Sequence, residues 1–359
     1  MRKAYMLISY CIVVTMLSCK EKKEEKTLSK ITELENKVVF KIDERTEFFR
    51  TIFNIAVQED LPEDIRPCHT EYLKRVNNQF LKFKNHPIIH WIKKGENIGI
   101  DFSVTGLMYK DLKQFEFDTI YKKELKAVGL TIKTLDSIKP LLIDFYQKSE
   151  FNQFFNNNKD YYKKAMSKIE KQVSKEKLFN KVMSFYQDNK KDLELKVFVE
   201  LTNNAVNRAV PFYDSYNPKK RAYILGNICK TPKKPMLTNL FLELNNDRRG
   251  ILYHETSHLF TDKLLKKHIG KLEQYKPICK ECKDIDVIDK VDHMIVYPIQ
   301  ALMMKRFDGN NMGDNFFLNK CKDVRKEIYK RLAEYKPEND ISFEKVYMDC
   351  IHLIRESAK

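Results

Sequence analysis

The sequence predicts an α+β fold that is mostly helical and contains one small sheet. Apolar residues recur at helical spacings through most of the chain up to about residue 192, whereas alternating or β-branched runs are few and short. No internal repeat is present, and no linker rich in proline, glycine or serine divides the middle of the chain. We therefore expect a single large domain over residues 37–359, with a helical first half and the sheet after it.

The first 36 residues are typical of a targeting segment and not of the fold. A short basic start is followed by an apolar run at residues 4–16 and by Leu-Ser before Cys19. This order favours a bacterial lipoprotein signal over residues 1–18, cleaved so that lipid is attached to Cys19. An uncleaved anchor is the alternative, but the apolar run is short for a spanning helix. Residues 19–36 would be a charged tether, and the protein would lie outside the cytoplasm on the cell envelope, in the outer membrane or on its surface.

Helices are expected wherever apolar residues return every three or four positions. In the first half this pattern predicts helices over residues 48–57, 69–83, from 86 onward, 102–108 and 141–146, and, after an aromatic turn at 151–162, one long helix over 159–189.

Strands are expected at four runs of alternating and β-branched residues. These runs are residues 37–43, 195–201, 209–213 and 221–225. The last three precede a further apolar helix, which carries the most informative motif in the chain.

That motif is HETSH at residues 254–258, which fits the pattern HExxH. Residues four apart lie on the same face of a helix, so His254 and His258 could bind one Zn²⁺. Glu255 would then remove a proton from a zinc-bound water during attack on an amide carbonyl. Strands followed by such a helix predict a zincin-like core, in which a small sheet packs on the active helix and its edge holds an extended peptide.

A catalytic zinc needs a third protein ligand. Thr261 and Leu264 stand where a metzincin would carry glycine and histidine, so that class is excluded. The apolar stretch 286–305 predicts a second helix, on which Asp292 or His293 could supply the ligand. The sequence leaves both open, and Glu273, Glu281 and Asp289 remain as weaker candidates.

Other polar residues compete for roles at such a site. Tyr297 and Tyr253 are candidate donors to the oxyanion of the transition state. His86 and His90 are also four residues apart, but Pro87 between them suits the first turn of a helix. We expect these two histidines to cap and pack that helix.

The number of cysteines limits the possible disulfides. Beyond Cys11 and Cys19, six cysteines allow up to three disulfides and 15 pairings. The CxxC at residues 279–282 has no second CxxC or CxxH nearby, which favours a structural bridge or free thiols over a zinc knuckle.

The formal net charge of +16 comes from lysines spread along the chain. No nucleic-acid motif accompanies them, so a solvated basic surface is expected and not specific nucleic-acid binding.

The chain also resembles a known family. The stretch HETSHLFTDKL, from His254 to Leu264, is similar to the HEFSHSFVNPL helix of uncharacterised bacterial lipoproteins of a domain-of-unknown-function family. Weaker similarities lie at residues 47–55, 85–87 and 151–162. That family is gluzincin-like, with a glutamate followed by a histidine on a later helix. The resemblance implies that Asp292-His293 is the equivalent pair here, with aspartate in place of glutamate.

These observations lead to one functional prediction and one alternative. The prediction is a membrane-anchored zinc metallopeptidase of gluzincin-like type that hydrolyses peptide or protein substrates, with Glu255 as the base and Tyr297 as an oxyanion donor. The alternative is a non-catalytic binding or adhesion lipoprotein on the same scaffold.

Overall fold

The computed structural model describes residues 37–61, 66–95, 100–186, 193–204, 207–210, 212–213, 217, 220–227, 246–268, 287–309, 311, 322–339 and 341–357. Within these ranges the fold is mostly helical with one small mixed sheet, which confirms the predicted α+β class. The signal, the tether, Cys19 and the CxxC lie outside the described residues. None of the described helices is long and apolar enough to cross a membrane.

The described part of the first half consists of helices, and the first four α-helices begin at side-chain caps. The helices are α1 (Glu44–Val57), α2 (Glu71–Phe80), α3 (Pro87–Lys94), α4 (Ile132–Lys148), α5 (Phe151–Asn157), α6 (Lys159–Glu176) and α7 (Leu178–Phe185), with 3₁₀ segments at Leu81–Phe83, Ile100–Met108 and Thr119–Val128. Asp43 caps α1 by accepting from the Arg45 amide at 3.0 Å, and Thr70 caps α2 in the same way. Such caps satisfy amides that have no partner within the helix.

His86 caps α3, as expected. Its Nδ1 accepts from the Ile88 amide at 3.3 Å, while its Nε2 lies 2.9 Å from a carboxylate oxygen of Asp144 on α4. His90 is exposed on the same helix, so the packing role expected for it is wrong. Both ring nitrogens of His86 are thus engaged in holding α3 against α4.

The single long helix expected over residues 159–189 is wrong. The chain instead forms α6 and α7, separated at Lys177, which has a left-handed backbone with φ of 50°. The break lets Leu178, Phe179 and Val182 turn into the core, where each is almost fully buried. The preceding aromatic segment, expected as a turn, is the helix α5.

The sheet has four strands in the order β1-β2-β4-β3. They are β1 (Lys37–Lys41), β2 (Glu194–Asn204), β3 (Arg208–Ala209) and β4 (Lys220–Asn227). β1 and β4 both run parallel to β2, with Lys37 opposite Glu194 and Glu194 opposite Lys220, and β3 is antiparallel to β4. The third strand, expected over residues 209–213, is Arg208–Ala209 among the described residues and is therefore shorter than expected.

The second half adds four helices around the sheet. They are α8 (Asn246–His268), α9 (Val287–Asp308), α10 (Lys322–Ala333) and α11 (Phe343–Ser357). α8 lies against β3, β4 and α7, α9 packs along α8, and α10 and α11 pack on α9. The buried hydrophobic residues of both halves form one cluster. α8 is therefore held between the sheet and α9, which fixes the position of its motif.

Candidate metal centre

The HETSH motif lies in the middle of α8, as the spacing predicts. The rings of His254 and His258 face the same side of the helix, and their centroids are 4.9 Å apart. His254 is 6% exposed, whereas His258 and Glu255 are partly exposed. One side of α8 therefore presents two imidazoles, with a carboxylate residue between them in the sequence.

The adjacent helix α9 brings a third imidazole to this pair. The ring of His293 lies 5.4 Å from that of His254 and 5.5 Å from that of His258, so the three rings form a nearly equilateral triangle. One ring nitrogen from each histidine lies within 4.8 Å of the others. Of the two residues that the sequence left open, His293 is the one that completes a three-histidine group, which we call the histidine trio.

The close approach of α8 and α9 depends on a glycine. An added Cβ on Gly250 would lie 2.7 Å from Nε2 of Gln300 and 2.9 Å from the sulfur of Met304. Gly250 is one turn before His254 on α8. Its lack of a side chain leaves space for Gln300 at the back of the trio.

Each of the two motif histidines has an outer hydrogen-bond partner. His254 donates from Nδ1 to Oε1 of Gln300 at 3.1 Å. His258 donates from Nδ1 toward Asp292 at 2.7 Å and toward Asp262 at 3.3 Å. Partners of this kind fix the orientation and tautomer of metal-binding histidines. In both rings Nε2 is the nitrogen that these outer partners do not occupy.

Asp292 is thus placed as the partner of His258. It is 5% exposed, and its other oxygen lies 3.2 Å from the hydroxyl of Thr261 on α8. That hydroxyl is also 3.3 Å from the carbonyl oxygen of Ser257. The carboxylate is held on the side of His258 opposite to Nε2.

The donor set fits a divalent cation. Zinc binds imidazole nitrogens at 2.0–2.1 Å, which puts tetrahedral donors roughly 3.3 Å apart, a spacing that small side-chain rotations of the trio would reach. His258, Asp262 and Asp292 also lie within 4.8 Å of one another. In that second group, however, the two carboxylates already accept the Nδ1 hydrogen of His258. The trio is therefore the better candidate.

Burial and neighbouring charges shift the pKa values of three ionisable groups at the site. Burial, followed by the proximity of His258 and His293, lowers the pKa of His254 well below its ordinary value. Burial also disfavours a charge on His258, but hydrogen bonds with Asp262 and Asp292 outweigh it and raise its pKa. Burial raises the pKa of Glu255 to about 7, against the opposing charges of His258 and Arg208.

The two candidate oxyanion donors, Tyr297 and Tyr253, lie in different places. The ring of Tyr297 lies 4.6 Å from that of His254 and 5.5 Å from that of His293, one turn after His293 on α9. The Arg325 guanidinium of α10 covers the Tyr297 ring at 5.1 Å. Tyr253 is fully buried, and its hydroxyl donates to Asp308 at 3.0 Å. Tyr297 therefore belongs to the site, and Tyr253 does not.

Sequence reasoning missed four residues around the trio. They are Asp262, Gln300, Thr261 and Arg325. Helical spacing alone could have identified two of them, because Asp262 is four residues after His258 and Gln300 is seven residues after His293. Arg325 carried no such signal, since it comes from a separate helix. Glu273, Glu281 and the side chain of Asp289 lie outside the described residues, and neither His86 nor His90 belongs to a metal-binding group among the described residues.

The two described cysteines limit the disulfides. Cys350 is free and fully buried on α11, where burial raises its pKa to about 12. Cys68 is disulfide-bonded to a partner outside the described residues. With Cys350 unpaired, the six cysteines allow two bridges at most, and the upper limit of three is wrong.

Comparisons with protein-family models, with curated proteins and with solved structures found no match for this chain.

Proposed function

We propose that this protein is a zinc-dependent peptidase whose metal is held by His254, His258 and His293. One observation carries the proposal. The histidine trio is assembled from two packed helices, with one ring nitrogen of each histidine within 4.8 Å of the others, and Nδ1 of each motif histidine already has an outer partner. Three protein ligands are what a catalytic zinc site needs if one position is to stay open.

Zinc is the metal that this donor set favours. Neutral imidazoles suit zinc, and three of them leave room for a fourth, exchangeable ligand. The carboxylates of Asp292 and Asp262 lie behind His258, where they would partly offset the charge of the cation. In this proposal Asp292 is an outer partner and not a ligand, so the set differs from that expected for a gluzincin.

In this proposal, Glu255 and Tyr297 assist the bound cation in peptide hydrolysis. A bound cation would act as a Lewis acid that polarises the scissile carbonyl and activates water. Glu255, beside His254 on α8, would take the proton of the attacking water and pass it to the leaving amine. Tyr297, whose ring lies against His254, is placed to donate to the developing oxyanion.

The sheet offers a place for the peptide. Among the described strands β3 is an outer one, and it lies against α8. In this proposal a substrate in extended form pairs along the outer side of β3 and passes across the trio. This arrangement of edge strand and active helix supports a zincin-like core.

The proposal is tested by metal content and hydrolysis together. Purified protein should contain one zinc per chain and cleave a casein substrate. Glu255→Gln should keep the zinc and lose at least about 100-fold in kcat, because only proton transfer is removed. His258→Ala should lose the zinc. His268→Ala is the matched control, since this histidine lies on the same helix but contacts Glu344 at 3.1 Å.

Two results would contradict the proposal. Full cleavage by Glu255→Gln would remove the glutamate from the mechanism. Stoichiometric zinc without any hydrolysis by the unaltered protein would favour the binding lipoprotein instead.

A further inference from the structure

Asn207 has a buried side-chain amide whose two polar atoms are both unmet by the described fold. The residue is 6% exposed, as His254 is. Neither Oδ1 nor Nδ2 has a hydrogen-bond partner among the residues that the structure describes. Buried polar groups are nearly always hydrogen-bonded, because a donor or acceptor that has lost its water and found no partner is costly. The amide of Asn207 therefore needs an explanation other than the packing of the fold.

Other asparagines in the described ranges follow the usual rule. Three of them are buried as deeply as Asn207, and each makes a hydrogen bond. Nδ2 of Asn54 donates to a main-chain carbonyl at 3.1 Å, and Nδ2 of Asn158 donates to another at 2.8 Å. Nδ2 of Asn203 donates to a carboxylate at 2.7 Å. These three amides hold the described fold together, and that of Asn207 does not.

Asn207 lies at the start of the outer strand that packs on the motif helix. β3 begins at the next residue, Arg208, and contacts α8. The pKa of Glu255 is raised by burial and lowered by the charges of His258 and Arg208. Because such charges act over short distances, the start of β3 lies close to the HETSH motif.

The neighbouring strand brings a second group of this kind to the same place. Tyr223 in β4 lies opposite Ala209 in β3 and is fully buried. Its hydroxyl also has no hydrogen-bond partner among the described residues. Burial, followed by the charge of Glu255, raises the pKa of Tyr223 well above its ordinary value. This end of the β3–β4 ladder therefore carries two side chains whose hydrogen-bonding groups the described fold does not use.

The main chain of a peptide matches a carboxamide. Asn207 offers an acceptor in Oδ1 and donors in Nδ2. Each residue of an extended peptide, proline excepted, presents one N–H and one C=O. A peptide that pairs along the outer side of β3 would pass this end of the strand. One residue of such a peptide could satisfy both atoms of the amide.

We propose that Asn207 binds the main chain of the substrate peptide, with Oδ1 accepting from an N–H and Nδ2 donating to a C=O. The ligand class is thus an extended peptide with a free N–H at the bound residue, and proline or an N-methylated residue is disfavoured there. The inference rests on the proposed function for the identity of the ligand. Its own basis is the amide of Asn207 and not the metal centre.

The first measurement is the unfolding temperature of the full chain without ligand. Asn207→Leu replaces the amide by an apolar side chain of similar size and should raise this temperature by a few degrees, because a polar group kept for a ligand costs the free protein stability. Asn54→Leu is the matched control and should lower it, since that amide is bonded within the fold. A fall with Asn207→Leu equal to that with Asn54→Leu would overturn the inference.

The second measurement is the affinity of the zinc-loaded protein for N-phosphoryl-leucyl-alanyl-alanine. Its phosphoryl group resembles the tetrahedral intermediate, and the N–H of either alanine can be methylated. One of the two methyl groups should weaken binding about 10-fold in the unaltered protein, because Oδ1 of Asn207 loses its donor. Asn207→Leu should bind the parent compound at least about 10-fold more weakly, and the same methyl group should then matter little. Asn54→Leu should bind like the unaltered protein.

The outcomes separate this inference from the proposed function. If Asn207→Leu binds the parent compound as well as the unaltered protein, or if methylation costs both proteins equally, the inference is overturned alone. If binding depends on Asn207 but casein is not cleaved, the inference is supported and the proposed hydrolysis is contradicted. If the zinc-loaded protein neither cleaves casein nor binds the phosphoryl peptide, both are overturned.

Discussion

Asp292 and His293 are neighbours in the sequence but have different places at the metal centre. His293 joins the histidine trio, while Asp292 accepts from His258 and is held by Thr261. Successive residues of a helix point about 100° apart, so only one of the two can face the trio. The sequence could name the pair but could not decide between them, because the rotation of α9 depends on its packing against α8.

The roles of this pair lead to a direct prediction. Asp292→Asn should retain one zinc per chain but bind it about 10–100-fold more weakly, as is usual when an outer partner is changed. His293→Ala should weaken binding more, because a ligand is lost. Competition with a chromogenic zinc chelator measures both. Loss of zinc only in Asp292→Asn, with His293→Ala unaffected, would reverse the assignment.

A second prediction concerns Glu47, which is fully buried between α1 and β2, away from the metal centre. Its oxygens lie 2.9 Å from the Tyr72 hydroxyl and 3.2 Å from the Leu201 amide nitrogen. Burial, followed by the nearby charge of Glu200, raises its pKa to about 8 from an ordinary 4.5. The folded protein therefore holds a proton that the unfolded chain releases.

This difference sets the sign of the pH dependence. The free energy of unfolding that Glu47 contributes is fully present below pH 4.5 and declines until pH 8, by on the order of a few kcal/mol. Glu47→Gln should flatten this decline. Urea unfolding at several pH values between 5 and 8 measures it. The control is Glu44→Gln, because Glu44 is partly exposed on the same helix and its substitution should leave the slope of unfolding free energy against pH unchanged. An unaltered slope in Glu47→Gln would contradict the role of Glu47 in this pH dependence.

At the scale of elements, the contact of α8 with α9 is controlled by Gly250. A Cβ at this position would displace the flexible ends of Gln300 and Met304 and not the backbone. We expect Gly250→Ala to change the free energy of unfolding of the apo protein little, since the gain in helix propensity of about 1 kcal/mol offsets the crowding. Zinc affinity should fall, because the partner of His254 moves.

The comparison with Gln300→Ala makes this prediction specific. Both substitutions should weaken zinc to a similar degree, and the double variant should be no worse than Gln300→Ala alone. If the losses of zinc affinity were additive in the double variant, Gly250 would act independently of Gln300.

Glycine substitutions at the break between α6 and α7 and within α6 should have opposite effects on the free energy of unfolding. Lys177 has a left-handed backbone, which costs a residue with a side chain about 1–2 kcal/mol and glycine very little. Lys177→Gly should therefore stabilise the protein by up to about 1 kcal/mol in urea unfolding. Lys175→Gly, two residues earlier within α6, should destabilise it by about 1 kcal/mol. Equal effects at both positions would contradict the role of the backbone angle.

At the scale of the whole molecule, the metal would connect the two helices that form the centre of the second half. A ligand that binds only the folded state stabilises it by about 2.7 kcal/mol at 100 times its dissociation constant. Zinc should therefore raise the unfolding temperature of metal-free protein, and a chelator should reverse the effect. His293→Ala should abolish this response, because it removes the only ligand that the proposed site takes from α9. An equal response in His293→Ala would contradict the proposed site.

Much of the molecule follows from local patterns in the sequence. Apolar periodicity located α1, α8 and α9, and alternation located β2 and β4. Local patterns failed where long-range packing decides, as at Lys177, where the apolar spacing continues although the helix ends. The same limit applied to the site, because Arg325 reaches Tyr297 from a helix with no motif.

The pairing of β1 with β2 has a consequence for how the protein acquires its shape. Lys37 lies opposite Glu194, so the first strand cannot find its neighbour until more than half of the chain has been made. Such distant pairings form slowly, because a long loop must close first. In pulse-labelled hydrogen exchange, amides of Val38 to Phe40 should gain protection no earlier than those of Leu195 to Phe198. The amino-terminal strand would thus be among the first parts synthesised and among the last to reach its place.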